Sequence, residues 1–408
     1  GPTGKAGNRN IVAKGKAGNE VVAKGKAGKV DRSGEGEDRD TNLCQRLREV
    51  VDGLKIRKEE RSEAANCVNE VVSKLLEHIR GKPNSCFHNI RKIPSGSYYE
   101  SVKISRPNEF DMMVGLKVER TRLTAVDADG AYYTVQLKRV VGSHPLTQFV
   151  VGDILSAPAM LQHLRTLILQ ASRAITERSV RVQRRRPGSP AVTLLIVEGQ
   201  QEISLDMVLA LEIHSCWPHS TQQGLGIANW LGTKVRTELR RSEFYLVPKD
   251  MPQGGSQPPQ GTWRVSFSHI EKLLIRNHGR EKTCCEVRAP KCCRKPCLKL
   301  LKNLVGKLKE GNPQKFSKLC SYHAKTALLH ACVKRPRDEE WALQDLDRCF
   351  SLLVKDFLEH LHTRCLPHFF IPDYNLFSEQ LFEVRHLTAL QGLIQSQVDS
   401  KFPIFSSK

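Results

Sequence analysis

Three acidic side chains are spaced to hold divalent cations. Glu109 and Asp111 flank Phe110, and Met112 follows. On an extended strand residues i and i+2 share a side. The two carboxylates therefore stand together while Phe110 and Met112 face a core. Asp206 lies inside Ile203-Ser-Leu-Asp-Met-Val-Leu-Ala-Leu211, where an acid is costly unless something pairs it. Three convergent carboxylates form an oxygen site for hard cations, typically Mg²⁺ (or Mn²⁺). Two such ions can clamp an attacking hydroxyl and the pyrophosphate leaving a triphosphate. Eleven residues separate this pair of acids from Gly96-Ser97, a turn whose N–H groups and hydroxyl are donors for phosphate oxygens.

A second constellation is His278-x5-Cys284-Cys285-x6-Cys292-Cys293-x3-Cys297, which holds five of the 13 cysteines. A structural Zn²⁺ needs four N/S ligands in a tetrahedron; the spacing alone does not choose among the five thiols. From Lys272 to Lys302 there are ten Lys/Arg and two Glu, a local charge of +8. The whole chain carries 64 Lys+Arg against 43 Asp+Glu, a net +21 over 408 residues. Such an excess points to a polyanionic partner. A hydrophobic share of 39% with 14 Phe and 4 Trp is enough for a sizeable core and excludes a wholly disordered chain. The apolar runs, such as 191–197, are far shorter than the ~18 residues of a membrane span. No charged-then-apolar leader opens the chain, so the cysteines are expected as intracellular thiols or metal ligands. Cys67, Cys216, Cys332 and Cys349 are expected in the core.

The elements that must position these groups follow from periodicity. Residues 1–41 repeat Lys-Gly-Lys-Ala-Gly with a period of ten and offer no apolar face; they read as a disordered basic tail, +6 over residues 1–30. From Asn42, the series Leu43, Leu47, Val50, Val51, Leu54 and then Ala64, Val68, Val71, Val72, Leu75, Leu76, Ile79 predict a long N-terminal helix. Strands are predicted over Val102–Ile104, Glu109–Leu116, Ala131–Leu137, Ala191–Val197 and Ile203–Leu211, with a helix over Leu161–Ile175. Helices follow over Leu298–Leu308, Tyr322–Cys332, Trp341–His362 and Phe377–Ile394. The fold class is α+β. Residues 42–260 form the spine and core, and 261–408 a helical C-terminal lobe containing the metal insertion at 278–297.

On these residues the chain resembles the vertebrate cyclic GMP-AMP synthases, cytosolic DNA sensors of innate antiviral immunity in the polymerase-β-like nucleotidyltransferase superfamily. The segments that carry the resemblance are Ser95-Gly-Ser through Glu109-Phe-Asp111, Gly188-Ser-Pro-Ala-Val-Thr-Leu-Leu-Ile196, Thr262-Trp-Arg-Val-Ser-Phe-Ser-His-Ile-Glu271, Asn277-His-Gly through Cys297, and Ser321-Tyr-His-Ala-Lys325. The resemblance as a whole covers about residues 42–408. The resemblance implies a bilobed nucleotidyltransferase fold: a mixed β-sheet catalytic lobe, a long N-terminal spine helix, a helical C-terminal lobe and a zinc-thumb insertion.

It also implies roles. Glu109, Asp111 and Asp206 would hold two Mg²⁺, and Gly96 and Ser97 would grip triphosphate. Arg264, with Ser266 and Glu271 nearby, would contact the guanine nucleotide. Lys302, Ser321 and Lys325 would bind phosphates of the other nucleotide, with Tyr322 stacked on a base. His278, Cys284, Cys285 and Cys292 would hold one Zn²⁺. Lys55, Lys58, Lys282, Lys291, Lys295 and Lys299 would meet duplex DNA without reading sequence. Lys272 would lie near a second DNA surface or a dimer contact. The implied substrates are ATP and GTP, joined through mixed 2′-5′ and 3′-5′ linkages. The implied assembly is a 2:2 complex with DNA, extending to nucleosomes, in cytosol and nucleus. Two other readings keep the fold: a silent nucleic-acid scaffold, against which all three acids stand, and a duplex-RNA-activated 2′-5′ oligoadenylate synthetase, against which the Cys-rich insertion stands.

Overall fold

Leu43, Leu47 and Val51 bury one face of helix α1 (Thr41–Gly53), and Val68, Val71, Val72, Leu75, Leu76 and Ile79 do the same for α2 (Lys58–Arg80). The expected spine is thus carried by two successive helices. The Leu54 N–H still donates to the carbonyls of Val50 and Val51, and the chain then leaves the helix at Lys55. The computed structural model describes residues 41–55, 58–94, 103–104, 108–138, 144–252 and 261–406. The basic repeat and the Gly96-Ser97 turn lie outside the described residues.

Among the described residues eleven strands follow: β1 (Arg91–Pro94), β2 (Glu109–Lys117), β3 (Thr121–Ala125), β4 (Tyr132–Leu137), β5 (Val150–Val151), β6 (Ile154–Leu155), β7 (Ser179–Val182), β8 (Ala191–Glu198), β9 (Gln201–Ile213), β10 (Phe244–Pro248) and β11 (Trp263–Ser266). Nine of them form one mixed sheet in the order β1-β2-β9-β10-β11-β4-β3, with β8 on the first half of β9 and β7 outside it. β2 and β9 pair in parallel, and the other pairs are antiparallel. β5 and β6 form a separate hairpin. The sheet takes β11 from beyond residue 260.

Helix α3 (Ala157–Ser172) starts where the Ser156 side chain accepts the Ala159 N–H and Pro158 occupies the first turn, as helix N-termini favour. It packs on α2 and on β7, β8 and β10, covering the face that carries Val192, Leu194, Leu205 and Met207. The opposite face carries a small apolar cluster of Ile93, Met113, Ala210, Tyr245 and Val247. Two short helices, α4 (Ala228–Leu231) and α5 (Thr233–Leu239), precede α6 (Ser268–Arg276). The remaining helices are α7 (Arg294–Gly311), α8 (Ser321–Lys334), α9 (Leu346–Thr363) and α10 (Val384–Asp399). α9 packs on α7, α8 and α10, and α1 lies on α7 and α9.

Several expected elements shift. Lys103 and Ile104 are not in a strand. Residues 338–345 form 3₁₀ turns, so the helix expected from Trp341 starts at Leu346. Phe377 and Phe382 are buried in turns before α10; tertiary burial, not helix period, explains their apolarity. Cys216 is exposed, whereas Cys67, Cys332 and Cys349 are buried, and all thirteen cysteines are free. Among the described residues no helix is long and apolar enough to cross a membrane.

Candidate active site and metal centre

The parallel pairing of β2 with β9 sets Asp111 directly beside Asp206, and Glu109 beside Ser204. The reason is local. Phe110 and Met112 on β2, and Leu205 and Met207 on β9, are buried against the helical layer, so period two turns all three acids to the other face. Asp111 opens to the cleft, yet the protein crowding it and the like charge of Asp206 push its carboxyl above the usual range; Lys103 opposes that shift. Lys103 Nζ stands 4.0 Å from Glu109 Oε2. Burial lowers the Lys103 ammonium, and Glu109 and Asp111 hold it up. The Thr193 hydroxyl on β8 donates to Asp206 Oδ1 at 2.5 Å. Close-set, oxygen-only donors of like charge suit hard divalent cations, which relieve their repulsion.

β11 alternates buried Trp263 and Val265 with half-buried Arg264 and Ser266, which places the latter two on one side. Glu271 on α6 is buried and its Oε2 lies 3.6 Å from Lys325 Nζ on α8. The Lys325 charge is felt at Asp111 and the Arg264 charge at Tyr322, so β2, β11, α6 and α8 converge. Burial and Glu271 raise the Tyr322 phenol. Ser321 opens α8 and is exposed, while Lys302 is buried on α7.

His368 belongs to this site and has no signature in the sequence. Its Nδ1 accepts the N–H groups of Phe370 and Ile371, each at 3.2 Å. The proton is therefore on Nε2, which donates to the Tyr322 oxygen at 3.0 Å. Burial first, then the Arg264 charge, drive its pKa down to about 3, so the ring is neutral. Tyr374 is also near, edge-on to Tyr132 with centroids 6.1 Å apart. Lys103, Thr193, His368 and Tyr374 were not signalled by spacing, because each acts through a neighbour on another element.

The ligand atoms of His278, Cys284, Cys285 and Cys292 lie within 4.8 Å of one another. His278 Nδ1–H donates to the Ile275 carbonyl at 2.8 Å. That leaves Nε2 as the lone-pair nitrogen, buried and without a hydrogen-bond partner. An orphaned imidazole nitrogen facing three thiols fits Zn²⁺. Cys293 and Cys297, fully buried at the start of α7, point into the core instead. The Trp230 indole donates to the His278 carbonyl at 2.8 Å. Asp338 accepts the N–H groups of Arg280 and Glu281 and pairs with Arg294 at 2.8 Å. These contacts tie the insertion to the body.

The lysines fall into distinct settings. Burial, then the charges of Lys55, Lys295 and Arg61, lower the Lys299 ammonium, so spine and α7 lysines form one cationic cluster. Lys55 also pairs with Asp52 at 2.5 Å. Lys282 is exposed on the insertion and Lys272 half-buried on α6. Lys291 Nζ donates to the carbonyls of Cys285 and Glu286, bracing the metal loop. Lys58 opens α2, and its side chain lies outside the described residues.

Residues 98–277 match the Mab-21 protein nucleotidyltransferase domain, and 293–395 match the Mab-21 protein HhH/H2TH-like domain. The four metal-ligand residues fall between the two matches. The chain is 47% identical over 360 residues to cyclic GMP-AMP synthase of Mus musculus, covering 88% of this chain and 70% of that protein. Against the Sus scrofa cyclic GMP-AMP synthase it is 46% identical over 362 residues, 88% of this chain and 72% of that one. A cyclic GMP-AMP synthase-like receptor of Magallana gigas is 26% identical over 366 residues, 85% of this chain and 58% of that protein.

Proposed function

The chain belongs to the cyclic GMP-AMP synthase family of Mab-21 nucleotidyltransferases, and from that premise we propose that it makes cyclic GMP-AMP from ATP and GTP when duplex DNA binds it. The observation that carries this reading is the His278–Cys292 cluster on a strongly basic segment, in a chain that also carries the acid trio. A nucleotidyltransferase needs the acids; the cluster would add a metal-stiffened basic protrusion, which a polyanion can meet.

In this reading Glu109, Asp111 and Asp206 hold two Mg²⁺, which when bound neutralise the triphosphate and lower the cost of the attacking alkoxide. Gly96 and Ser97 supply phosphate donors. Arg264, with Ser266 and Glu271 beside it, orients the guanine nucleotide. Lys302, Ser321 and Lys325 hold the other triphosphate, and Tyr322 presents its ring to a base. The ring is fixed by His368 at its hydroxyl, and Lys325 by Glu271, so both enter the reaction prepositioned. The same pocket acts twice, first forming a 2′-5′ bond and then closing the ring through a 3′-5′ bond. His278, Cys284, Cys285 and Cys292 hold Zn²⁺ and stiffen the insertion. Lys55, Lys58, Lys282, Lys295 and Lys299 contact DNA phosphates, with Lys291 bracing the loop and Lys272 serving a second DNA or dimer surface. The assembly is a 2:2 complex, nucleosomes offer the same phosphate surface, and the free thiols suit residence in cytosol and nucleus.

The test is incubation with ATP, GTP and Mg²⁺ plus either duplex DNA or duplex RNA, followed by product masses. The expected result is the mass of cyclic GMP-AMP with DNA alone, lost in Asp206→Asn while DNA binding persists. A ladder of adenylates with RNA would overturn the proposal.

A further inference from the structure

We propose that Thr193 is a positioning residue for the divalent-metal site, acting through Asp206. β8, β9 and β2 lie side by side, and their registers set Thr193, Asp206 and Asp111 in one row across the sheet. Asp206 stands in the middle. On one side it meets a like charge, and on the other the Thr193 hydroxyl, which donates to Oδ1 at 2.5 Å. Thr193 is only 6% exposed, so strand pairing and packing hold its hydroxyl in place. Among the described residues it is the only side-chain or backbone donor to the Asp206 carboxylate. Without it, an acid beside another acid has no reason to keep one rotamer, because the repulsion from Asp111 turns it away. The hydroxyl fixes Oδ1 and so presets where the rest of the carboxylate points. Groups in this position, behind a ligand, typically govern metal affinity by 10- to 100-fold.

The inference rests on reading Glu109, Asp111 and Asp206 as the metal-holding acids. The experiment measures Mn²⁺ binding to the zinc-loaded full chain by electron paramagnetic resonance, with no nucleotide present. Thr193→Val and Thr193→Ala lose the hydroxyl, whereas Thr193→Ser keeps it and loses the methyl. The expected result is Mn²⁺ affinity weaker by about tenfold or more in the Val and Ala variants, and within a few-fold of the parent in Ser. Thermal melting and DNA binding report that each variant is folded. Parent-like Mn²⁺ affinity in folded Val or Ala variants would overturn the proposal. So would the reverse pattern, with Ser damaged and Val spared, since that marks packing by the methyl. Asp206→Asn is the control for the underlying reading. If it binds Mn²⁺ like the parent, the acids are not the metal site; if it loses Mn²⁺ while Thr193→Val does not, only the role of Thr193 falls.

Discussion

At the scale of single residues, the site is held by groups that are neutral or charged for structural reasons. His368 shows how. Two backbone N–H groups aim at Nδ1, so a second proton there would face both donors as well as Arg264 and the neighbouring His330. Burial adds the largest cost, and the pKa falls to about 3. In the unfolded chain histidine titrates near 6.5. The folded state thus binds fewer protons between those values, and stability is present above about pH 6.5 and lost as pH falls toward 3. Replacing His368 with Asn keeps a hydrogen-bonding side chain and removes the titration. Relative to His368→Asn, the parent should lose about 1.4 kcal/mol of unfolding free energy per pH unit below 6, read from urea unfolding at pH 6.0, 5.5 and 5.0. Parallel stability curves for the two proteins would show that the buried ring is not held neutral.

Among the elements, legibility tracked length and alternation. β2 and β9 span nine and thirteen residues, long enough for period two to declare both strands and the side on which their acids emerge. β1, β7, β10 and β11 have four or five residues, too few for any period to rise above chance, and they were not foreseen. The metal loop is a different case. Its spacing left five thiols open, and the choice is made by α7, whose first turn rotates Cys293 and Cys297 into the core while Cys292 stays at the loop. Gly279 shows how tightly that loop closes. A Cβ there would stand 2.1 Å from Cys284 Cβ, closer than any real contact, with no flexible side chain to give way. Gly279→Ala should therefore displace Cys284 and lower bound zinc well below one equivalent, measured by elemental analysis of the purified protein. It should lower the melting temperature less than it lowers zinc occupancy, since the insertion contributes no strand to the sheet and its Cys284, Cys285 and Cys292 pack at the edge of the core. Full zinc occupancy in that variant would mean that the loop closes by another path.

For the whole molecule, the net charge of +21 is uneven, and the unevenness separates two kinds of contact with the proposed duplex. One share sits on the Lys-Gly-Lys repeat, seven Lys/Arg against one Glu in residues 1–30. Another sits where Lys55, Arg61, Lys295 and Lys299 share one field, strongly enough to lower the Lys299 ammonium behind the effect of burial. Both shares should release counterions from a duplex, because each neutralised phosphate steepens the fall of log K with log salt by about 0.9. Only the second includes α7, which also holds Lys302 and packs on α8 with Tyr322 and Lys325, the residues proposed to hold nucleotide. Removing residues 1–30 should therefore flatten the salt dependence yet leave maximal product formation at saturating DNA near that of the parent. Lys295→Ala with Lys299→Ala should flatten the slope by about 2 and also lower maximal product formation, because the duplex then no longer bears on α7. Fluorescence anisotropy across 50–300 mM salt, paired with product yield at saturating DNA, separates the two shares. If the lysine pair left both slope and yield untouched while the truncation abolished product, the activating surface would belong to the repeat and not to the α1–α7 cluster.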